Sequence, residues 1–471
     1  MENFSTGIKI ADINDYVNLE TDCIFDESKE SPKNKSIKIS QKNLVSIKSQ
    51  SKAKSHFNQI RTNPKTKNAK ITLEDCLACS GCVTSAETVL IEQQDTAQFV
   101  KMAKNIQKDH IFIVTISTQS IVSIANKLKI KPEEAFNKIR DILIRNYNVS
   151  IVVDSATGNY LALKESIVEF LKRLEQNENL PILSSECPGW VCYAEKTLGK
   201  SVIPLMSKVK SAQATMGSLI KRHFSENFNP QKMLHVAVMP CPDKKLESSR
   251  SQLAFTQNGN KIREVDCVLT TTELFDLLNF ENFVNNSQNL DFKRNLKTEN
   301  FKILKSNFNG RINEKSSSGG YIQNIIDYFV ASENSVVKQQ NISADFKIVT
   351  VTTKKFGDIN LIYAYGFRNI SKISRQIKSN YFGDKKVHLI EIMACPSGCL
   401  NGGGQLRPES KGVRFQKELV SELYSDFNAI KIIDDNFSKD LDFMYKALKR
   451  KKEFFKTDFN DNTPKQESLS W

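Results

Sequence analysis

The chain lacks any apolar run near the roughly 18 residues that a membrane-spanning helix requires, which excludes helical integral membrane classes. Its first residues, MENFSTGIKIADINDY, have neither a basic segment followed by an apolar stretch nor an Arg- and Ser-rich amphipathic pattern. No secretory or transit peptide is therefore expected, and the cytoplasm, with the nucleus as a second location, is the expected compartment. Histidine is scarce: there are 5, none at metal-pair spacing. His388 sits in an apolar run and reads as a core histidine. Cysteine is also sparse for the length. Ten in 471 residues cannot form the framework of a disulfide-stapled protein, and in a reducing compartment clustered thiols point to metal ligation or catalysis.

The net charge of +14 invites a nucleic-acid reading, but the charge is concentrated. From Lys29 to Lys70 there are 12 basic residues and a single acid, Glu30, so this stretch alone carries +11. Rich in Lys, Ser and Asn, it reads as a solvated insert at about 27–70, with one short strand at 36–40, inside an N-terminal region 1–104. The rest of the chain is near neutral, and nucleic acid is not expected as a partner.

From His110 the sequence alternates short β-branched apolar runs with amphipathic helical patterns, as in α/β proteins with buried parallel strands. Strands are expected at 111–116, 150–153, 180–183, 234–239, 265–269, 347–352 and 387–392. Helices are expected at 132–145, 161–175, 211–224, 273–278, 320–331, 370–378 and 443–455. These make up a core at 105–455. The polar residues 456–471 read as a flexible C-terminal tail.

Two cysteine constellations stand out. In DCLACSGC, Cys76, Cys79 and Cys82 follow C-x-x-C-x-x-C spacing, which wraps three corners of an iron–sulfur cube and fits zinc, usually held by paired cysteines, less well. A ferredoxin-type fourth cysteine does not follow, and Cys23 is the only other cysteine in this region. The second constellation is distributed over three loops, each at the end of an expected strand: SSECPGW with Cys187, MPCPDKKLE with Cys241, and MACPSGCLNGGGQ with Cys395 and Cys399. In open parallel sheets ligands gather at the carboxyl ends of strands, so the three loops can converge on one buried site. Cys192 and Cys267 remain, and both read as core residues. Asp154 and Ser155 form a polar pair at a strand end with no histidine to complete a triad. The SSSGG run at 316–320 precedes an expected helix and reads as its cap, with an anion site as the alternative.

These residues closely resemble the iron-only hydrogenase-like family of cytosolic iron–sulfur assembly factors, the Nar or prelamin-A recognition factor-like proteins. The resemblance runs through GIKIADINDYVNLETDCI, KITLEDCLACSGCVTSAE, the three distributed loops and the terminal Trp471. It implies a two-lobed hydrogenase-like α/β core of parallel sheets flanked by helices, with a small N-terminal iron–sulfur domain. It also implies two 4Fe–4S clusters, one on Cys187, Cys241, Cys395 and Cys399, the other on Cys23, Cys76, Cys79 and Cys82. The implied role is an adaptor or carrier between an early P-loop NTPase scaffold and a late targeting complex containing a WD40 propeller, maturing cytosolic and nuclear iron–sulfur proteins. Leu469, Ser470 and Trp471 resemble a C-terminal targeting peptide that engages that complex. Hydrogenase activity is not expected. True iron-only hydrogenases place a second, proton-relaying cysteine before the first cluster ligand, where this chain has Glu186. Lys244, Glu247 and Met393 match polar or di-iron-adjacent positions, so an iron–sulfur oxidoreductase, either a residual hydrogenase or an electron carrier, is the alternative.

Overall fold

A computed structural model describes residues 85–226, 228–278, 304, 308–312, 316–379, 382, 386–408, 413–451 and 453–463. Eleven strands are present among them: β1 (Ile111–Ile116), β2 (Ile151–Asp154), β3 (Ile182–Ser184), β4 (Met233–Met239), β5 (Ala254–Gln257), β6 (Asn260–Arg263), β7 (Cys267–Thr270), β8 (Val336–Asn341), β9 (Phe346–Thr353), β10 (Gly357–Tyr365) and β11 (Val387–Met393). They form two main sheets. The first has order β2-β1-β4-β7 and is parallel throughout.

All six residues of β1 are buried because helices cover both faces of this sheet. Phe112, Val114 and Ile116 project into a core shared with Phe99, Ile121, Phe136 and Leu143. Ile111 and Ile113, on the other face, meet Leu161, Met216, Leu219 and Phe454. The period of two thus separates two cores from one continuous apolar run.

The second sheet has order β3-β11-β10-β9-β8. Its β3, β11 and β10 are parallel, whereas β10-β9-β8 is an antiparallel meander, so the expectation of parallel sheets holds for only part of it. One face packs on the helix Phe367–Ser379 and on Trp190; the other packs on Phe170, Ile322, Ile325 and Phe329. The long helix Ala156–Gln176 joins the lobes. Its Leu161 lies in a core of the first sheet and its Phe170 in a core of the second.

The seven expected strands are all present, with ends shifted by up to two residues. The expected set omits β5, β6, β8 and β10. At the β5-β6 hairpin, Asn258 and Gly259 both take positive φ, 52° and 79°, as an Asn-Gly hairpin turn requires. The helix expected at 443–455 is Asp435–Leu448, capped by Asp434, whose side chain accepts from Phe437 N. Phe454 and Phe455 are not helical. They plug a face of the first sheet.

Both expected core boundaries move. The helices Ser85–Glu92 and Thr96–Asn105, placed by sequence in the N-terminal region, pack on the core. Between them the Gln94 side chain accepts from Val268 N (3.1 Å) and donates to Lys245 O (2.9 Å), while Phe99 is fully buried. At the other end, residues 456–463 are pinned, contrary to the expectation of a flexible tail from 456. Thr457 N donates to Lys208 O (2.9 Å), Asn460 N to Glu195 Oε1 (2.8 Å) and Asn462 N to Glu195 O (3.0 Å). No helix among the described residues is long and apolar enough to cross a membrane.

Candidate functional site

The carboxyl ends of β3, β11 and β4 carry the distributed cysteines. Because β3 and β11 are neighbours in register, the Cys187 loop and the Cys395–Cys399 loop leave the second sheet side by side. Ser185 ties them: its Oγ donates to Ile392 O (2.5 Å) and accepts from Cys187 N (3.0 Å). The third loop arrives from the first sheet and is caught by backbone. Gly404 N donates to Pro240 O (2.9 Å), one residue before Cys241. Gly402 lies so near the same carbonyl that a Cβ there would fall inside 3.0 Å. This explains the glycine run chemically: side chains would hold the two loops apart.

The Cys395–Cys399 turn is built by positive φ at Ser397 (59°) and Gly398 (74°). Asp345, just before β9, accepts from Ser397 N (2.6 Å), and Ser318 Oγ accepts from Cys399 N (2.8 Å). Cys187 is buried, and Cys241, Cys395 and Cys399 are partly covered.

The thiols of Cys187, Cys395 and Cys399 lie within electrostatic reach of one another. Burial pushes Cys187 up to about 12, and Asp243 and Cys399 push the same way against amide donors from Trp190 and Ala394. Cys399 rises to about 11, again through burial, opposed by the Ser318 hydroxyl. Burial, Cys187 and Cys399 drive Cys395 well above the usual thiol range. Without a metal these sulfurs hold their protons; coordination to a cation removes them outright. Among the described residues no three His, Cys, Asp or Glu side chains converge tightly enough to close around one metal ion.

Glu186 faces Lys244 across the site. Its Oε2 accepts from Lys244 Nζ (3.2 Å), and its Oε1 accepts from Ala212 N (3.0 Å) and Tyr321 OH (3.3 Å). Lys244 Nζ also donates to Glu247 Oε2 (2.8 Å). Burial works to discharge this lysine, but Glu247 and Glu186 outweigh it and hold the ammonium above its ordinary range.

The iron-only hydrogenase large subunit, C-terminal domain, family model matches residues 110–403. The cytosolic Fe-S cluster assembly factor narfl of Xenopus tropicalis is 35% identical over 451 residues, covering 90% of this chain and 89% of that protein. The chain belongs to the family of cytosolic iron–sulfur cluster assembly factors. Other relatives are cytosolic iron-sulfur assembly component 3 of Mus musculus, 35% identical over 90% of this chain and 88% of its own length, and the probable cytosolic Fe-S cluster assembly factor oxy-4 of Caenorhabditis elegans, 37% identical over 90% and 89%. Among solved structures, the apo FeFe hydrogenase HydA1 from Chlamydomonas reinhardtii matches with a TM-score of 0.60 at 21% identity, covering 78% of this chain and 99% of that one. That likeness establishes the hydrogenase-like fold.

Against this family background, Glu186 and Lys244 line a small cavity beside Cys399, with Ser117, Asn159 and Arg311. Met393 is buried instead in the apolar core around Cys187 and Trp190. Cys192 and Cys267 are buried, as expected for core residues, and His388 accepts from Asn360 N (3.0 Å) within the sheet. Asp154 is a clamp rather than a catalytic acid, accepting from Asn309 N, Gly310 N and Ala156 N. The serines of 316–320 do not cap the helix Tyr321–Glu333. Glu391 does, accepting from Ile322 N (2.9 Å) and Gly320 N (3.4 Å).

Cys23, Cys76, Cys79, Cys82, Leu469, Ser470, Trp471 and the insert at 27–70 lie outside the described residues. Of the residues that shape the site, Asp345 has no place in the sequence motifs, Ser318 lies in the SSSGG run expected to cap a helix, and Ser185 lies in SSECPGW with no role expected of it. Asp345 lies about 50 positions from the loop it holds and carries no sequence signal.

Proposed function

We propose that this chain works in cytosolic iron–sulfur protein assembly, carrying two 4Fe–4S clusters and linking an early P-loop NTPase scaffold to a late WD40-containing targeting complex. The observation that carries the reading is the meeting of three cysteine loops from two sheets at a buried site, in a chain whose relatives are named as cytosolic assembly factors. Cys187, Cys241, Cys395 and Cys399 would hold the buried cluster, and Cys23, Cys76, Cys79 and Cys82 the N-terminal one. The cluster would supply iron and sulfide bound on thiolates. The protein contributes loops fixed by backbone, amide donors toward Cys187, and a covered setting that slows loss to solvent. The working place is the cytoplasm, with clients in cytoplasm and nucleus.

The alternative, an iron–sulfur oxidoreductase, has the hydrogenase-like fold in its favour. Against it stands Glu186. It stands where the resemblance places the relaying thiol, but Lys244, Ala212 and Tyr321 engage both its oxygens and hold the side chain in place. Cells depleted of the protein and supplied with the full chain or with a chain lacking Trp471 test the reading. Labelled-iron incorporation into a cytosolic iron–sulfur client should fall on depletion, return with the full chain, and return poorly without Trp471. Normal incorporation in depleted cells, or hydrogen evolution by purified protein, would sink it.

A further inference from the structure

We infer that Ser318 is a tuning residue of the buried cluster: its hydroxyl donates a hydrogen bond to the Cys399 sulfur and draws electron density from that ligand. The inference rests on the assignment of a cluster to Cys187, Cys241, Cys395 and Cys399. Ser318 is 5% exposed and belongs to a serine and glycine run whose obvious task, capping the helix Tyr321–Glu333, is performed by Glu391. Its backbone is fixed on both sides: Ser316 Oγ donates to Ser318 O (2.6 Å), and Gln119 Nε2 donates to Ser317 O (3.0 Å). Its side chain is aimed at Cys399. Cys399 N donates to Ser318 Oγ at 2.8 Å, which sets the hydroxyl beside the Cys399 side chain, where it opposes the rise of the thiol. At Gly398, with φ of 74°, a Cβ would collide with Ser318 Oγ, so the turn is shaped to admit the hydroxyl.

The direction of the bond follows from proton counting. A cysteine bound to iron is a thiolate and has no proton to give. One lone pair of the serine oxygen is already engaged by the Cys399 amide, and the hydroxyl proton is left for the sulfur. The donors on Cys187 differ in kind. They are the backbone amides of Trp190 and Ala394, which a side-chain substitution leaves in place. Ser318 is a side chain, so its contribution can be removed alone. Hydrogen bonds to ligand sulfur help set the potential of an iron–sulfur cluster, and a donor favours the more negative, reduced state.

The test is a dye-mediated redox titration, followed by electron paramagnetic resonance, of anaerobically purified full-length wild type, Ser318→Ala and Ser318→Thr. For Ser318→Ala the ratio of reduced to oxidised buried cluster at a fixed solution potential should drop about tenfold, which for one electron is about 59 mV. Ser318→Thr keeps the hydroxyl and should stay near wild type. Pulsed measurements in D2O should show an exchangeable proton coupled to the cluster in wild type and not in Ser318→Ala. If Ser318→Ala fails to hold the cluster, Ser318→Cys, with a weaker donor, is titrated in its place and should also shift downward. A potential equal to wild type in either variant, even with faster loss to a chelator, reduces Ser318 to a packing role and overturns the inference. If Cys399→Ala leaves the buried-cluster signal intact, the cluster assignment itself fails; a shifted Cys399→Ala signal with an unshifted Ser318→Ala potential removes only the inference.

Discussion

Replacing Gly402 by alanine separates two reasons for a glycine and tests how the site is closed. Gly402 has an ordinary φ of −59°, so its backbone accepts any residue without strain. The cost is steric. A Cβ would fall inside 3.0 Å of the Pro240 carbonyl oxygen, a rigid backbone atom that already binds Gly404 N. One loop must retreat, at an overpacking cost of about 1–3 kcal/mol, and the retreat separates Cys241 from Cys399. Gly357 is the control. Its φ is 68° and nothing lies within 4 Å of its Cβ position, so Gly357→Ala carries left-handed strain of about 1–2 kcal/mol and no clash. The two variants should lose similar stability in anaerobic denaturant titrations. They should differ in iron and acid-labile sulfide: Gly402→Ala should lose the buried cluster, and Gly357→Ala should keep it. Equal iron in both variants would show that the contact between the two loops does not govern assembly of the site.

Three further outcomes follow from the packing. Lys245 and Glu273 form an ion pair at 2.7 Å with side chains 1% and 2% exposed, so Lys245→Met strands a buried carboxylate and should cost about 3–5 kcal/mol. Adding Glu273→Gln should recover much of that loss in equilibrium unfolding, and no recovery would refute the electrostatic account. His235 is buried and neutral, donating Nδ1–H to Glu264 O (2.9 Å) and accepting at Nε2 from Thr115, and burial lowers its pKa to about 4. The unfolded chain takes up this proton near pH 6.5 and the folded chain only near 4, so up to about 3 kcal/mol of stability is lost as pH falls through that window. The stability difference between His235→Gln and wild type should shift in the variant's favour between pH 7 and pH 5; a constant difference would contradict the assignment. Glu195 accepts Arg250 (Nη1 to Oε2, 3.0 Å) and the Asn460 amide, so Glu195→Leu should release the segment 456–463, seen as faster amide exchange at Thr457, Asn460 and Asn462. Unchanged exchange would mean that the clasp is elsewhere.

The sequence exposes buried parallel strands plainly, since Ile111–Ile116 and Val387–Met393 are mostly apolar runs, buried on both faces. It conceals β10, whose apolar stretch starts only after Gly357 and Asp358 at a hairpin turn, and β8, whose six residues are all exposed and carry no burial pattern. The cysteine loops are legible because proline and glycine must surround ligands at strand ends. The supports are not. Glu391 caps a helix about 70 positions upstream, and Asp345 fixes Ser397 about 50 positions downstream; both are ordinary acids until the chain folds. The segment 456–463 looks like a tail because it is largely polar, but backbone N–H groups of Thr457, Asn460 and Asn462 and the ring of Phe459 all anchor it, and composition does not reveal the former.

The measurement that bears most directly on the central claim is iron, acid-labile sulfide and electron paramagnetic resonance on anaerobically purified wild type beside single Cys→Ala variants. The account predicts about eight irons in wild type, since each of two cubanes takes four cysteines. Replacing Cys187, Cys241, Cys395 or Cys399 should remove one cluster's iron and its signal, while Cys192→Ala and Cys267→Ala should match wild type. Zinc in place of iron, or equal loss of iron on replacing Cys192, would contradict it.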